Sequence, residues 1–236
     1  MPEITIGNIT LNLQRKPIKN LHISVLPPEG KVRVSAPLQL SDTAIRMAVV
    51  KRLAWIREQQ ADFAAQPRQS EREMCSGETH YLWGRGYRLD VNVSSSPSVK
   101  LKGGRIAITS KTEITTEKRQ LILQDWYRQI LRKRLEPLMR QWQERIGVTP
   151  SFVGIKRMKT KWGSCNPSTG RIWLNLELVK KPPECLEFII VHELIHLLER
   201  HHNERFKALM QQHLPKWAEH RRTLNRTPLA FDKWGY

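Results

Sequence analysis

His192-Glu193-Leu194-Ile195-His196 sets two imidazoles four residues apart with a carboxylate between them. On a helix, histidines at that spacing sit about 40° apart around the axis, so both rings can reach one ion. Glu193 lies about 100° from His192 and about 60° from His196, at the border of the same face. There a carboxylate can take a proton from water activated by a metal. The other residues of the run 188–198 are Phe, Ile, Val and Leu, so these polar groups interrupt an apolar helix. Burying them without partners costs several kcal/mol, on the order of a few for each group. A zinc ion is the partner that suits the spacing. A third ligand is available after the second histidine, where His201 and His202 stand side by side and a turn could present either. Three imidazoles leave zinc one open position, as in catalytic sites; a fourth ligand from Cys165, His213, Glu219 or His220 would close it into a structural one.

The surrounding pattern must place this helix. Pro182-Pro183 suits its first turn. Ahead of it, Ile172, Leu174, Leu176 and Leu178 alternate as a half-buried strand, preceded by the turn 166–170 and by a strand starting at 152–155, and these pair as a hairpin. Between them, Trp162-Gly163-Ser164-Cys165 can line the site, with Gly163 admitting close backbone approach, or can be a strand-end turn with a packed Trp. Residues 116–146 carry a helical period that Pro137 should kink or divide and Gly147 should cap. Asn203 caps a short helix with Phe206, Leu209 and Met210, and Pro215 starts a last one with Trp217 and Leu224, before an irregular tail beyond Arg226.

Residues 4–36 read as strands, with a hairpin turn at 27–30, and one helix runs from Ser41 to about Ala65 before a polar connector at 67–73. Alternation at 87–93, then 99–102 and 105–108 around Gly103-Gly104, gives a second β-region. No repeat is visible, and neither His22 nor His80 belongs to a reactive cluster. The expected organisation is α+β, with a β-rich scaffold over 1–110 and a catalytic region over 111–236.

With 236 residues, 39% hydrophobic content and 8 Trp, the chain has ample material for a core. No run approaches the ~20 apolar residues of a membrane span, so no membrane partner is expected. The absence of a visible secretory segment and three scattered cysteines, Cys75, Cys165 and Cys185, point to the cytoplasm. A formal charge of +18 favours contact with a polyanion, DNA first, although no nucleic-acid motif accompanies it.

Residues 192–196, His202 and Phe206, with 158–165 (Met-Lys-Thr-Lys-Trp-Gly-Ser-Cys), the strand around Asn175, and Val34-Ser35-Ala36-Pro37 before a helix with Trp55-Ile56, resemble the YgjP-like metal-dependent hydrolases, relatives of the zinc metallopeptidases. The likeness spans about residues 10–225 and extends more distantly to SprT-like proteases, which cut proteins crosslinked to DNA. It implies a zincin-type domain in which His192, His196 and His202 hold one Zn2+ and Glu193 is the catalytic acid/base. Its spacing selects His202 over His201. Metzincins carry glycine where this chain has Glu199.

The expected activity is therefore that of a zinc metalloendopeptidase acting on a protein or peptide substrate, with Glu193 as general base. Trp162, Gly163, Ser164 and Asn175 are candidate substrate contacts, and an extended substrate would pair with residues 172–178. The alternatives are a zinc-containing nucleic-acid-binding module, a hydrolase of non-peptide amides or esters, and a DNA-associated protease of SprT-like type.

Overall fold

The structure, a computed structural model, describes residues 3–26, 30–65, 73–158 and 161–226. Turn residues 27–29, most of the connector at 67–73, Lys159-Thr160 and the tail beyond Arg226 lie outside them. The described residues fall into two compact units, 3–65 and 73–226. The expected division at 110/111 lies inside the second unit, because Leu82, Leu89, Ile106 and Ile108 share one core with Leu123, Leu131, Leu174 and Ile190.

The first unit is a four-stranded sheet, β1 (Glu3–Ile6), β2 (Ile9–Lys16), β3 (His22–Leu26) and β4 (Lys31–Pro37), in the order β1-β2-β4-β3. Alternation puts Ile9, Leu11 and Leu13 of β2 and Val32, Val34 and Ala36 of β4 on one buried face, with Leu11 opposite Val32 and Leu13 opposite Val34. Two helices complete this core where one was expected: α1 (Asp42–Val50), capped by Ser41, and α2 (Leu53–Ala65). At the break the Arg52 N–H donates to Val49 C=O at 2.9 Å, a tighter three-residue step that ends the α-helical ladder.

The second unit opens with β5 (Thr79–Leu82), β6 (Arg85–Val93), β7 (Ser98–Lys102) and β8 (Arg105–Ser110), ordered β5-β6-β8-β7. Both sheets have the same topology: an antiparallel first pair, a parallel inner pair and an antiparallel last pair. The architecture thus contains a repeat that residue identities do not show. Helix α3 (Thr116–Ile146) follows, closed by Gly147 at φ 76°. Pro137 does not divide it. Pro137 and Lys133, whose carbonyl loses its helical donor, are both exposed, so water can satisfy the freed oxygen.

Next come β9 (Phe152–Lys156), β10 (Gly163–Asn166) and β11 (Arg171–Asn175), in the order β10-β11-β9. Only β10 and β11 form the hairpin, and β9 runs parallel to β11. The strand expected over 172–178 stops at Asn175 and continues as a 3-10 helix, Leu176–Lys180, because the Asn175 carboxamide accepts from the Glu177 N–H and captures the chain. With both edges of β11 occupied, residues 172–178 have no free edge for a substrate. Helix α4 (Pro183–Ile195) is buried on nearly every side, meeting α3, β10, β11, α5 (Glu204–His213) and α6 (Trp217–Arg226). Its entry is fixed by the β5–β6 turn, where Trp83 and Gly84 donate to Val179 and Lys180 carbonyls at 2.8 and 3.1 Å. A Cβ on Gly84, at φ 80°, would sit 2.9 Å from Pro182 Cγ.

Replacing Pro137 by Ala restores the missing helical hydrogen bond at an exposed site. It is expected to stabilise the protein by about 1–3 kcal/mol, read as a higher thermal midpoint. A lower midpoint would show that the proline is needed in α3.

Candidate metal centre and its surroundings

The last turn of α4 carries His192, and His196 caps it, its N–H bonded to the His192 carbonyl at 3.3 Å. The chain then reverses through hydrogen bonds from Leu197, Leu198 and Glu199 N–H groups to Leu194, Ile195 and Ile195 carbonyls. Glu199 stands in this reversal without a positive φ, which removes the need for glycine there. Asn203 accepts from the Phe206 N–H at 2.9 Å and starts α5, which returns the chain beside the α4 terminus.

This reversal brings His202, and not the exposed His201, to the helix histidines. His202 Nε2 lies 3.0 Å and His196 Nε2 3.2 Å from His192 Nε2. The ligand atoms of the three all lie within 4.8 Å of one another. Phe206 underlies the group, with its ring centroid 5.0, 4.8 and 4.8 Å from those of His192, His196 and His202. Its place in the helix core was readable from sequence, but its contact with all three rings was not, because it depends on how α5 returns.

The donor set fits a divalent ion. His196 Nδ1 lies 3.1 Å from the Glu199 carbonyl, which accepts its proton and leaves the Nε2 lone pair directed into the group. Tetrahedral ligands about 2.0–2.1 Å from zinc stand about 3.3–3.4 Å apart, close to the two observed separations. Burial pushes the His192 imidazole down to about 3, with His196, His202 and Arg221 adding to the effect; burial also lowers His196 and His202. All three are thereby held neutral, the form that donates to metals. Among the described residues the group has three members, and none of Cys165, His213, Glu219 or His220 joins it.

Glu193 is 4% exposed, and burial pushes its carboxyl up to about 8 against the opposing pull of Lys161. Strand β10 lies directly over it. A Cβ on Gly163 would stand 2.5 Å from Glu193 Oε1 and 2.8 Å from Ile189 Cγ2, so glycine is required for this approach. Cys165, two residues on and on the same pleat face, packs on the core; burial and the Glu193 charge push its thiol up to about 11, away from nucleophile chemistry. The pleat puts Ser164 on the opposite face, across from Trp173. Of the four candidate substrate contacts, Trp162 lines the cavity beside the histidines, and Gly163 touches Glu193. Asn175 is otherwise engaged. Its carboxamide donates to Met158 and Lys161 carbonyls at 2.8 Å each and accepts from the Met158 and Glu177 N–H groups, which uses both donors and two lone pairs.

A buried ion cluster beside this clamp escaped the sequence reading. Glu177, 8% exposed, receives Lys180 Nζ at 2.8 Å and has Arg157 Nε at 4.0 Å. Burial pushes its carboxyl up, but Lys180, Arg157 and Lys181 pull it net down. Lys181, 4% exposed, sets its ammonium 5.2 Å from the Trp162 ring. The available signal was charge at 177, 180 and 181 within an otherwise apolar stretch.

A family model described as "YgjP-like, metallopeptidase domain" matches residues 19–227. Two solved metallopeptidase zymogens are similar over part of the chain. Jannalysin of Methanocaldococcus jannaschii is 24% identical, covering 38% of this chain and 92% of that one, with a TM-score of 0.35. Abylysin of Pyrococcus abyssi is 21% identical, covering 40% and 99%, with a TM-score of 0.36. At these TM-scores the likeness supports no conclusion about this chain. No curated protein sequence matches.

Replacing His202 by Ala should weaken zinc binding by at least about 100-fold, whereas His201→Ala should leave it within about threefold. Competition with a chromogenic chelator measures both. A large loss for His201→Ala with little for His202→Ala would mean that the other histidine supplies the ligand.

Proposed function

Because the chain belongs to the YgjP-like metallopeptidase family, we propose that it is a zinc endopeptidase in which His192, His196 and His202 hold one Zn2+ and Glu193 is the general base. The observation that carries the reading is the convergence of three neutral imidazoles beside a buried carboxylate that is not itself among the ligands. Zinc bound there supplies a Lewis acid that polarises a carbonyl and lowers the pKa of water.

The remaining work falls to the chain. Glu193 accepts the proton of the attacking water at its carboxylate and delivers it to the leaving nitrogen. Its low exposure raises its proton affinity, which suits the acceptor role. Gly163 keeps the strand against that carboxylate and limits the directions in which it can turn. At the edge of its sheet, β10 offers main-chain groups to an extended peptide, the role expected of residues 172–178 before both edges of β11 were found paired. The contact between β10 and α4 supports a zincin-type arrangement of edge strand over metal helix. The formal charge of +18 supports a second contact, with DNA or another polyanion, that does not enter this chemistry.

A closed structural zinc site, as in a nucleic-acid-binding module, predicts a different response to loss of the base. Glu193→Gln should retain zinc and lower casein hydrolysis by about 10²–10⁴-fold. Unchanged hydrolysis, or none in the parent protein, would overturn the enzymatic reading. Gly163→Ala, which drives a methyl into Glu193, should also retain zinc while lowering kcat by about 100-fold. A normal kcat would show that Glu193 does not depend on that contact.

A further inference from the structure

A cavity of about 440 Å³ opens beside the three-histidine group. His192 and His202 form part of its wall, so whatever fills it is in reach of the proposed metal. Trp162, Phe188, Ile189, Phe206, Trp217 and Leu224 give that wall an apolar part. These side chains come from four places in the chain: the segment before β10, α4, α5 and α6. The apolar residues of α5 and α6 thus do more than cover the core.

The polar lining is one-sided. Lys207, Arg221 and Asn225 contribute, and among the described lining residues there is no carboxylate. Lys207 is paired with Glu204 at 2.7 Å on the exposed side of α5. Arg221 makes no ion pair among the described residues, and its charge is felt at both His192 and His202. The apolar lining favours large uncharged side chains, and Arg221, without an ion pair among the described residues, acts against cationic ones. Lysine and arginine would bring a second positive charge beside the Arg221 guanidinium.

We propose that this cavity is the subsite for a bulky apolar side chain, Phe, Leu or Met, on the residue bordering the cleaved bond, and that Arg221 excludes basic side chains from it. The substrate assignment rests on the peptidase reading above, while the binding preference does not. The size agrees: about 300–1,000 Å³ is the range of small-ligand sites, ample for one aromatic side chain with adjoining backbone. Hydrophobic pockets discriminate by about 10-fold or more for each methylene they accept.

The test separates binding from cleavage. Zinc-loaded Glu193→Gln protein is titrated with the N-acetyl amides of phenylalanine, leucine, alanine and lysine, with binding followed by NMR. The phenylalanine and leucine amides should bind at least about 10-fold more tightly than the other two. Asn225→Trp places a large ring at an exposed lining position and should remove that preference, with the thermal midpoint and zinc content checking the fold. Arg221→Gln should bring the lysine amide to the affinity of the alanine amide or better. Equal affinities for all four amides, or variants that leave the order unchanged, overturn the proposal. Mass spectrometry of casein digested by the parent protein supplies the second arm. Cuts flanked by Phe, Leu or Met support the assignment, whereas cuts flanked by Lys or Arg overturn it and leave the peptidase reading intact. Selective amide binding without any cleavage would uphold the binding preference of the cavity and sink the peptidase reading, and the subsite assignment with it.

Discussion

The site depends on burying polar groups inside an apolar helix. Helix α4 is enclosed by α3, α5, α6 and the three-stranded sheet, and this enclosure desolvates Glu193 and His192. A carboxyl raised from 4.5 to about 8 represents a cost on the order of a few kcal/mol when it must ionise in the metal-free protein. The helix therefore spends folding stability on groups that contribute nothing to packing. A divalent cation offsets that cost twice, by satisfying the imidazole lone pairs and by favouring the ionised carboxylate beside it.

The remaining elements serve to keep these groups in register. Phe206 of α5 meets His192 and His202 edge-on and His196 at a tilt, so it limits how the rings can turn. Asn175 ties Met158 and Lys161 to the end of β11, and that tie sets where β10 begins. The approach of β10 to α4 is then so close that only glycine fits at 163. One carboxamide, one ring and one missing side chain hold the surroundings of Glu193 and the histidines, and none of them belongs to the three-histidine group.

What was legible in the sequence follows from range. The helix caps at Ser41, Asn203 and Gly147 are local events, and they stand where residue type put them. The pairing of His192 with His196 was legible because both lie on one helix, whereas residue types left His201 and His202 open and the family resemblance selected His202. Pro137 misled because the penalty of a mid-helix proline was weighed without its exposure. Residues 176–178 misled because buried leucines satisfy a strand or a 3-10 helix equally, and the choice was made by Asn175. The two-unit division and the repeated sheet topology depend on pairing between distant strands, which alternation alone does not encode. Asn175 entered through the family resemblance; its partners are backbone groups at 158, 161 and 177, which no side-chain pattern reveals.

Arg221 is the remaining charge to account for. It adds to the burial that keeps His192 and His202 neutral, but an imidazole of ordinary pKa near 6.5 is mostly neutral at pH 7 already, so that help is small. Against this, Arg221 repels a dication in the same site with twice the force it exerts on a proton. The guanidinium thus costs the metal more than it gives the ligands. Its charge becomes favourable only when electron-rich oxygens, such as those of a bound peptide, lie between it and the ion. That balance agrees with the proposal that Arg221 and the apolar chamber whose wall it shares face the substrate.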